Sequence, residues 1–285
     1  MQRYYCKDCN YVFENKRRSK TKRQQILWKE YVREKQTYNE LAKKHKVTKR
    51  TIQTRLDQVN VKRQNHEPCE TVIMIDTCYF GRNFGVMVFR DHYQKVNIYW
   101  KFVKYETISD YVSGINYIRY KGWKILSIVC DGKRGMFSAF GGIAVQMCQY
   151  HQVAIVIRYI TKKPRLEAGI ELKELTLLLT RTDKESFTGA LEQWYTKWKN
   201  FLSEKTINPE TERWRYTHKR IRSAYRSLKH NLPYLFTWYD NIELKMPNTT
   251  NSLEGVFSNL KTKLRVHSGL KQRRKIKLIN AILNQ

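Results

Sequence analysis

Apolar positions along this chain change spacing several times, and each change marks an element boundary. From Gln24 to Val59 they recur at helical intervals in three short bursts. Ile26, Leu27 and Tyr31 give a first helix its apolar stripe, and Thr37-Tyr-Asn-Glu40 has the form of a capping box that opens a second helix through Leu41 and Ala42. After a turn at His45-Lys-Val47, Thr48 caps a third helix with Ile52 and Leu56 facing inward. The polar run from Asn60 to Cys69 reads as a connection, with the linker proper at 63–70. Beyond it the apolar runs become those of strands, at 71–76, 85–90 and 95–102. A helix follows from Thr107 to about Tyr120 with Tyr111, Ile115 and Ile118 on one face, and then strands at 124–130 and 144–148. Helical spacing returns from Gln152 to about Tyr239, in stripes such as Leu172, Leu175, Leu178, Leu179 and Leu191, Trp194, Trp198, Leu202. A last helix after Asn248 carries Leu253, Val256, Phe257, Leu260 and Leu264 along one side.

This order predicts an α/β chain with several parts. Three meandering strands, a helix and a strand parallel to the first follow the order of an RNase H-like core. In that arrangement the first and fourth strands are neighbours, so Asp76 and Asp131 come side by side although 55 positions apart. The segments are a partial zinc-ribbon knuckle at 1–20, a helix-turn-helix unit at 21–62 and the linker at 63–70. The first part of the core spans 71–152, an all-helical insertion 153–245, and the catalytic helix with a basic C-terminal helix 246–285.

Charge narrows the choice of partner. With 55 Lys and Arg against 25 Asp and Glu, the formal net charge is +30, far beyond what solubility requires, and a polyanion is the expected partner. The excess gathers at both ends: nineteen basic against six acidic residues from Arg3 to Arg63, and eight basic residues from Lys261 to Lys277 with no acid after Glu254. Double-stranded DNA fits two terminal basic surfaces separated by an aromatic-rich middle. The sequence predicts no membrane partner, because no apolar stretch reaches about 18 residues, and the polar beginning lacks a signal-peptide core, so a cytoplasmic, nucleoid-associated protein is expected. Six cysteines, several inside strand-like runs, read as reduced thiols.

Three stretches carry candidate chemistry. Val72-Ile-Met-Ile-Asp76 and Ile128-Val-Cys-Asp131-Gly132 are strand-type runs that stop at an aspartate, and Asn248-Thr-Thr-Asn-Ser-Leu-Glu254 puts a glutamate in the first turn of a helix. Three acids from distant segments can hold divalent cations, Mg²⁺ or Mn²⁺, for in-line displacement at phosphorus. Each has a blander role: aspartates close Asx turns, and Asn251-Ser-Leu-Glu254 is spaced as a capping box. Lys49, Arg50, Gln53, Thr54 and Arg55, outward on the third helix, are of the types that bond phosphates and base edges, although an amphipathic helical hairpin with a basic face has the same pattern. Lys261, Lys263 and Arg265 are candidates for phosphate contact, and Trp214, between Arg213 and Arg215, for stacking on an unpaired base. Cys6-Lys-Asp-Cys9 is half of a Zn²⁺ site and needs two more ligands. Cys148-Gln-Tyr-His151 has ligand spacing too, but Cys148 closes a strand and His151 opens a helix, which favours a structural role.

Together, Ile75-Asp76-Thr-Cys-Tyr-Phe, Cys130-Asp131-Gly132, Cys148-Gln-Tyr-His151 and Asn248-Thr-Thr-Asn-Ser-Leu-Glu254-Gly-Val-Phe257-Ser-Asn-Leu-Lys261 resemble the Mutator-type DDE transposases. Within them the chain is most similar to bacterial insertion-sequence enzymes with an amino-terminal zinc ribbon, and the resemblance runs essentially from Gln2 onward. It implies an RNase H-like core interrupted by a helical insertion, with Asp76, Asp131 and Glu254 as catalytic and metal-binding triad and Cys148/His151 as a signature near them. The implied activity is two-metal strand cleavage and strand transfer at the terminal repeats of the element, by a dimer or larger assembly on transposon-end and target DNA. The sequence departs from the pattern at the ribbon, whose first half would lie upstream of Met1. Two competing expectations are an RNase H-like nuclease without strand transfer and an inactive or domesticated DNA-binding regulator.

Overall fold

The computed structural model describes residues 3–14 and 20–284. The chain divides into two compact units, one made of Met1–Gln64 with Val256–Gln285 and the other of Asn65–Gly255. The division falls within one helix, between Gly255 and Val256.

The larger unit is a mixed α/β fold around a five-stranded mixed sheet in the order β5-β4-β3-β6-β7. Strands β3 (Glu70–Tyr79), β4 (Gly85–Asp91) and β5 (Asn97–Val103) form an antiparallel meander. Helix α4 (Ile108–Tyr120) then crosses to β6 (Lys124–Cys130), which pairs parallel to β3 on its other side. A short helix α5 (Met136–Ala139) precedes β7 (Ala144–Met147), parallel to β6. The central strands are apolar on both faces, as strands covered on both sides must be: Val72, Ile73, Met74 and Ile75 are all buried. Tyr111, Ile115 and Ile118 of α4 are buried in the same core as Ile73, Met87, Phe89 and Ile128. Thr107 caps α4 through Asp110 N–H, and Gly114 lets the helix approach so closely that a Cβ there would lie 2.1 Å from the Phe89 ring.

Helix α6 (Gln149–Ile160) begins the insertion, followed by α7 (Glu167–Leu178) and α8 (Lys184–Ser203). A hairpin of β8 (Lys205–Ile207) and β9 (Trp214–Tyr216) then precedes α9 (Lys219–Leu235) and α10 (Thr237–Asp240). Leu172, Leu179, Leu191, Trp194, Leu202 and Leu228 share one core, so the helical stripes pack as their spacing predicted, although Leu178 is exposed. The insertion is not all-helical: Lys205-Thr-Ile and Trp214-Arg-Tyr, rich in β-branched and aromatic side chains and separated by Asn208-Pro209, favour paired strands over helix.

In the smaller unit, β1 (Arg3–Tyr5) and β2 (Val12–Glu14) pair antiparallel. Helices α1 (Lys20–Val32), α2 (Tyr38–Lys44) and α3 (Lys49–Asp57) follow. Leu27, Tyr31, Val32, Leu41, Ile52 and Leu56 are buried, whereas Ile26, assigned inward from its spacing, is 38% exposed. Both predicted caps form: the Thr37 and Glu40 side chains satisfy each other's backbone N–H groups, and Thr48 accepts from Thr51 N–H. Two further helices complete the unit, the later turns of α11 (Asn251–Val266) and all of α12 (Gln272–Leu283). On α12, Arg274 donates twice to the Asp57 carboxylate (3.0 and 2.6 Å), and Lys277 Nζ donates to the Leu56 and Asp57 carbonyls at the end of α3 (2.7 and 2.8 Å).

Candidate functional site

Asp76 does not end its strand as its apolar run suggested. The β3–β4 ladder continues through Asp76↔Val88 to Tyr79↔Gly85, while the parallel partner β6 stops at Cys130. The β3–β6 register reaches Met74↔Val129, and two residues further on each strand stand Asp76 and Asp131. The two aspartates therefore lie near each other at a step in the sheet, where one strand ends and its neighbour runs on. Gly132, at φ +79°, turns the chain away from β6 so that Lys133 N–H returns to Asp131 Oδ1 (3.0 Å); a Cβ at Gly132 would meet the Met147 side chain at 2.6 Å. Asp76 Oδ1 accepts from Thr77 N–H (2.7 Å).

Burial and charge oppose each other here. Burial pushes the Asp76 carboxyl up to about 6; His151 and the Thr77 N–H pull it down, while the negative charges of Asp131 and Glu106 push it further up. Burial likewise raises Asp131, with Glu106 adding to the rise and the Lys133 N–H, His151 and the Lys133 ammonium opposing it. Glu106 was not singled out from the sequence. It lies in the loop after β5, directly before the cap of α4, where it accepts from the Tyr111 hydroxyl and pairs with Lys133 (3.4 Å). Lys133 Nζ also donates to the Glu106 carbonyl (2.5 Å), tying the loop after Asp131 to the loop before α4. No periodicity announces such a residue; its only sequence signal is its place next to a helix cap.

Cys148 and His151 lie beside the aspartates. Burial would raise the Cys148 thiol, but the hydrogen bond and charge of His151, with Thr250, hold it below its ordinary value. Contact with Cys148 pushes His151 up to about 9 despite burial, and the charges of Asp76 and Asp131 help. His151 Nδ1 is buried without a hydrogen bond of acceptable geometry, and burial drives the nearby Cys130 thiol up to about 12. Thr250 N–H and Oγ1 both reach Cys148 Sγ (3.3 Å each), and the Asn248 carbonyl accepts from Gln149 N–H (2.9 Å). Thus the segment leading into α11 is bound to the β7–α6 junction.

Glu254 stands in the first turn of α11, but not as a capping partner. The Thr250 carbonyl accepts from Glu254 N–H (3.2 Å), which makes Thr250 the cap residue and leaves Glu254 one position too far along for a capping box. Its side chain is exposed and does not rank among the main charges acting on Asp76 or Asp131. Among the described residues, no three His, Cys, Asp or Glu side chains are grouped so as to hold a metal ion. Cys6 and Cys9 occupy the turn between β1 and β2, closed by Cys6 N–H to the Tyr11 carbonyl (2.9 Å); backbone hydrogen bonds from Asp8 and Cys9 lower the Cys6 thiol.

On α3, Lys49, Arg50, Thr54 and Arg55 are exposed and Gln53 is half-buried. Arg50, Thr54 and Arg55 line a shallow groove with Thr48, Thr51 and Gln58. The Thr54 hydroxyl is already bonded to the Arg50 carbonyl (3.0 Å). Lys261 and Arg265 are exposed, but Lys263, expected at the surface, is only 6% exposed, because it stands on the line of Leu253, Phe257 and Leu260, the buried side of α11. Trp214 is exposed on β9. Among the described residues, no helix is long and apolar enough to cross a membrane.

No family model matches this chain, and no curated protein matches it. Among solved structures, the chain is similar to one in a cryo-EM structure of the simian T-cell lymphotropic virus intasome in complex with PP2A regulatory subunit B56 gamma, at 11% identity over 72% of this chain and 68% of that one. The TM-score of that match, 0.24, is too low to bear on fold or activity.

Proposed function

We propose that this chain is a DNA transposase of the DDE type, with an RNase H-like core and a helix-turn-helix at 21–62 that reads the terminal repeats of its element. The observation that carries the reading is the nearness of Asp76 to Asp131 at the step where β6 stops. Two neighbouring carboxylates are hard oxygen donors suited to Mg²⁺ or Mn²⁺, and Glu254 would supply the third carboxylate from α11. When bound, such ions stabilise the charge on the attacking and leaving oxygens of displacement at phosphorus. The chain's own residues prepare the place. Asp76 and Asp131 stand in a partly desolvated setting that raises both carboxyls, His151 opposes part of that rise, and the Lys133–Glu106 pair fixes the loop behind Asp131. The exposed Arg50 and Arg55, with the half-buried Gln53, would read base edges, and Lys261 and Arg265 would add phosphate contacts.

Asp76→Asn should retain binding to candidate end DNA and lose Mg²⁺-dependent cleavage; cleavage that survived would sink the catalytic assignment. A strand-transfer assay on a pre-cut labelled end separates a transposase from an RNase H-like nuclease, and joining requires at least two copies on DNA. The second reading, a DNA-binding regulator, is favoured by the exposed Glu254 and by the lack of three grouped ligands among the described residues. It predicts that the parent chain binds DNA and cuts none in Mg²⁺ or Mn²⁺.

A further inference from the structure

The β8–β9 hairpin has almost no covered surface. All three residues of β8 are exposed, as are Trp214 and Arg215 on β9. The register sets Ile207 opposite Trp214, and these large apolar side chains remain 66% and 54% exposed. A two-stranded hairpin without a packed face is marginal in water, so this one depends on its stem. There Thr217 N–H donates to the Glu204 carbonyl (3.0 Å), Glu204 pairs with His218 (2.9 Å), and His218 stacks on Phe201 at 3.5 Å. Tyr216 lies under the Arg222 guanidinium at 3.8 Å. The stem is fixed and the Ile207–Trp214 pair is left uncovered.

The surroundings indicate what covers it. Lys205 Nζ sits 4.1 Å over the Trp214 ring and the Tyr216 ring meets it in a T-shape at 5.3 Å, yet the indole remains more than half exposed, at 54%. From Lys205 to His230 the sequence carries eight Lys and Arg against two Glu, so the apolar pair is set in a positive field. An intact duplex offers phosphates but keeps its base faces stacked. An unpaired nucleotide offers a flat base face with phosphates on either side, matching an indole flanked by Lys205, Arg213 and Arg215.

We propose that the β8–β9 hairpin is a binding site for unpaired DNA, with a base stacked on the exposed part of the Trp214 indole and its flanking phosphates held by Lys205, Arg213 and Arg215. The proposal rests on the reading of this chain as a DNA-processing protein, and adds a contact that duplex recognition by α3 does not provide.

The test uses the full chain and two labelled DNAs in fluorescence anisotropy: a blunt duplex, and the same duplex carrying a short single-stranded 3′ extension. Trp214→Ala should weaken binding of the extended DNA by about 5- to 100-fold more than binding of the blunt duplex, with Trp214→Phe restoring most of the loss. Trp214 is exposed, so both variants should melt with the parent. Arg50→Ala with Gln53→Ala should reduce discrimination between duplex sequences while leaving the preference for the extension, which separates failure of the α3 reading from failure of this one. Equal weakening of both DNAs by Trp214→Ala overturns the proposal, and so does no weakening of either, the result expected if a protein surface covers the hairpin. A parent chain that shows no preference for the extended DNA overturns it as well.

Discussion

At Asp76, burial lifts the carboxyl to about 6 from an ordinary value of 3.8. Between those two values the unfolded chain has released a proton that the native state still holds. The native state therefore binds more protons, and stability falls as pH rises through that window, by up to about 3 kcal/mol for this group alone. In the absence of divalent cations, Asp76→Asn should accordingly leave the protein nearly unchanged at pH 4 and more stable than the parent at pH 7.5. Urea midpoints in chelator at the two values check this, and an equal shift at both would show that burial is not the cause. His151 carries the same sign in a higher pH window, with contact with Cys148 rather than burial as the cause. Its folded value of about 9 lies above the ordinary 6.5, so its contribution is complete below 6.5 and is lost as pH rises through 9. Because Cys148 is the leading cause, Cys148→Ser should move the His151 ring titration down toward its ordinary value, read from the imidazole C–H resonances. Glu106→Gln should lower the Asp76 titration, since it removes one of the two negative charges that push it up.

Among the elements, α3 and α12 change the meaning of the basic C-terminal stretch. The sequence presents Lys261 to Lys277 as one surface for phosphates, but Arg274 holds Asp57 and Lys277 closes the end of α3, where a cation also meets the negative end of the helix dipole. Alanine at Lys261 or Arg265 should thus weaken binding to all duplex sequences alike and reduce the salt slope by about one each. Lys277→Ala should instead lower the melting temperature and leave the slope nearly unchanged. Alanine at Arg50 or Gln53 should cost about 1–3 kcal/mol on cognate DNA and relax specificity locally. Binding titrations across salt concentrations tell these outcomes apart, and a Lys277→Ala slope as flat as that of Lys261→Ala would restore the single-surface view.

For the whole molecule, the two ends of the chain belong to one compact unit, and α11 passes from the larger unit into it just after Glu254. The unit that includes α3 therefore cannot be complete in a fragment ending at Gln64. Removing Val256–Gln285 deletes the partners of Asp57 and of the α3 carbonyls, with the buried Leu278, Ile279 and Ile282. A chain truncated after Gly255 should lose the cooperative unfolding of its N-terminal helices and its duplex binding, while the sheet unit keeps its own transition. Calorimetry of the two chains measures this; undiminished duplex binding by the truncated chain would refute the dependence. A single Leu278→Ala should cost about 2–5 kcal/mol of the smaller unit's stability.

Local patterns were sufficient for the elements that local chemistry builds. The caps at Thr37 and Thr48, the helix start at Thr107, the inward Ile52 and Leu56, the succession of strands along the chain and the leucine stripes of the insertion follow from spacing and from hydrogen bonds between near neighbours. The adjacency of β3 and β6 was also legible, because a strand, a helix and a parallel strand leave few ways to lay the second strand beside the first. Other features depend on contacts that no window of sequence contains. Strand β3 runs past Asp76 because β4 offers it partners there, and the charge of Glu106 bears on the aspartates from a loop that Lys133 ties to the one after Asp131. Lys263 is buried by the side of the helix on which it stands, and the last thirty residues join the first sixty-four because α12 supplies the charges and apolar side chains that α3 lacks. Sequence periodicity records which face of an element is apolar; only the folded chain decides which other element covers that face, and that choice set the surroundings of Asp76 and the position of Glu254.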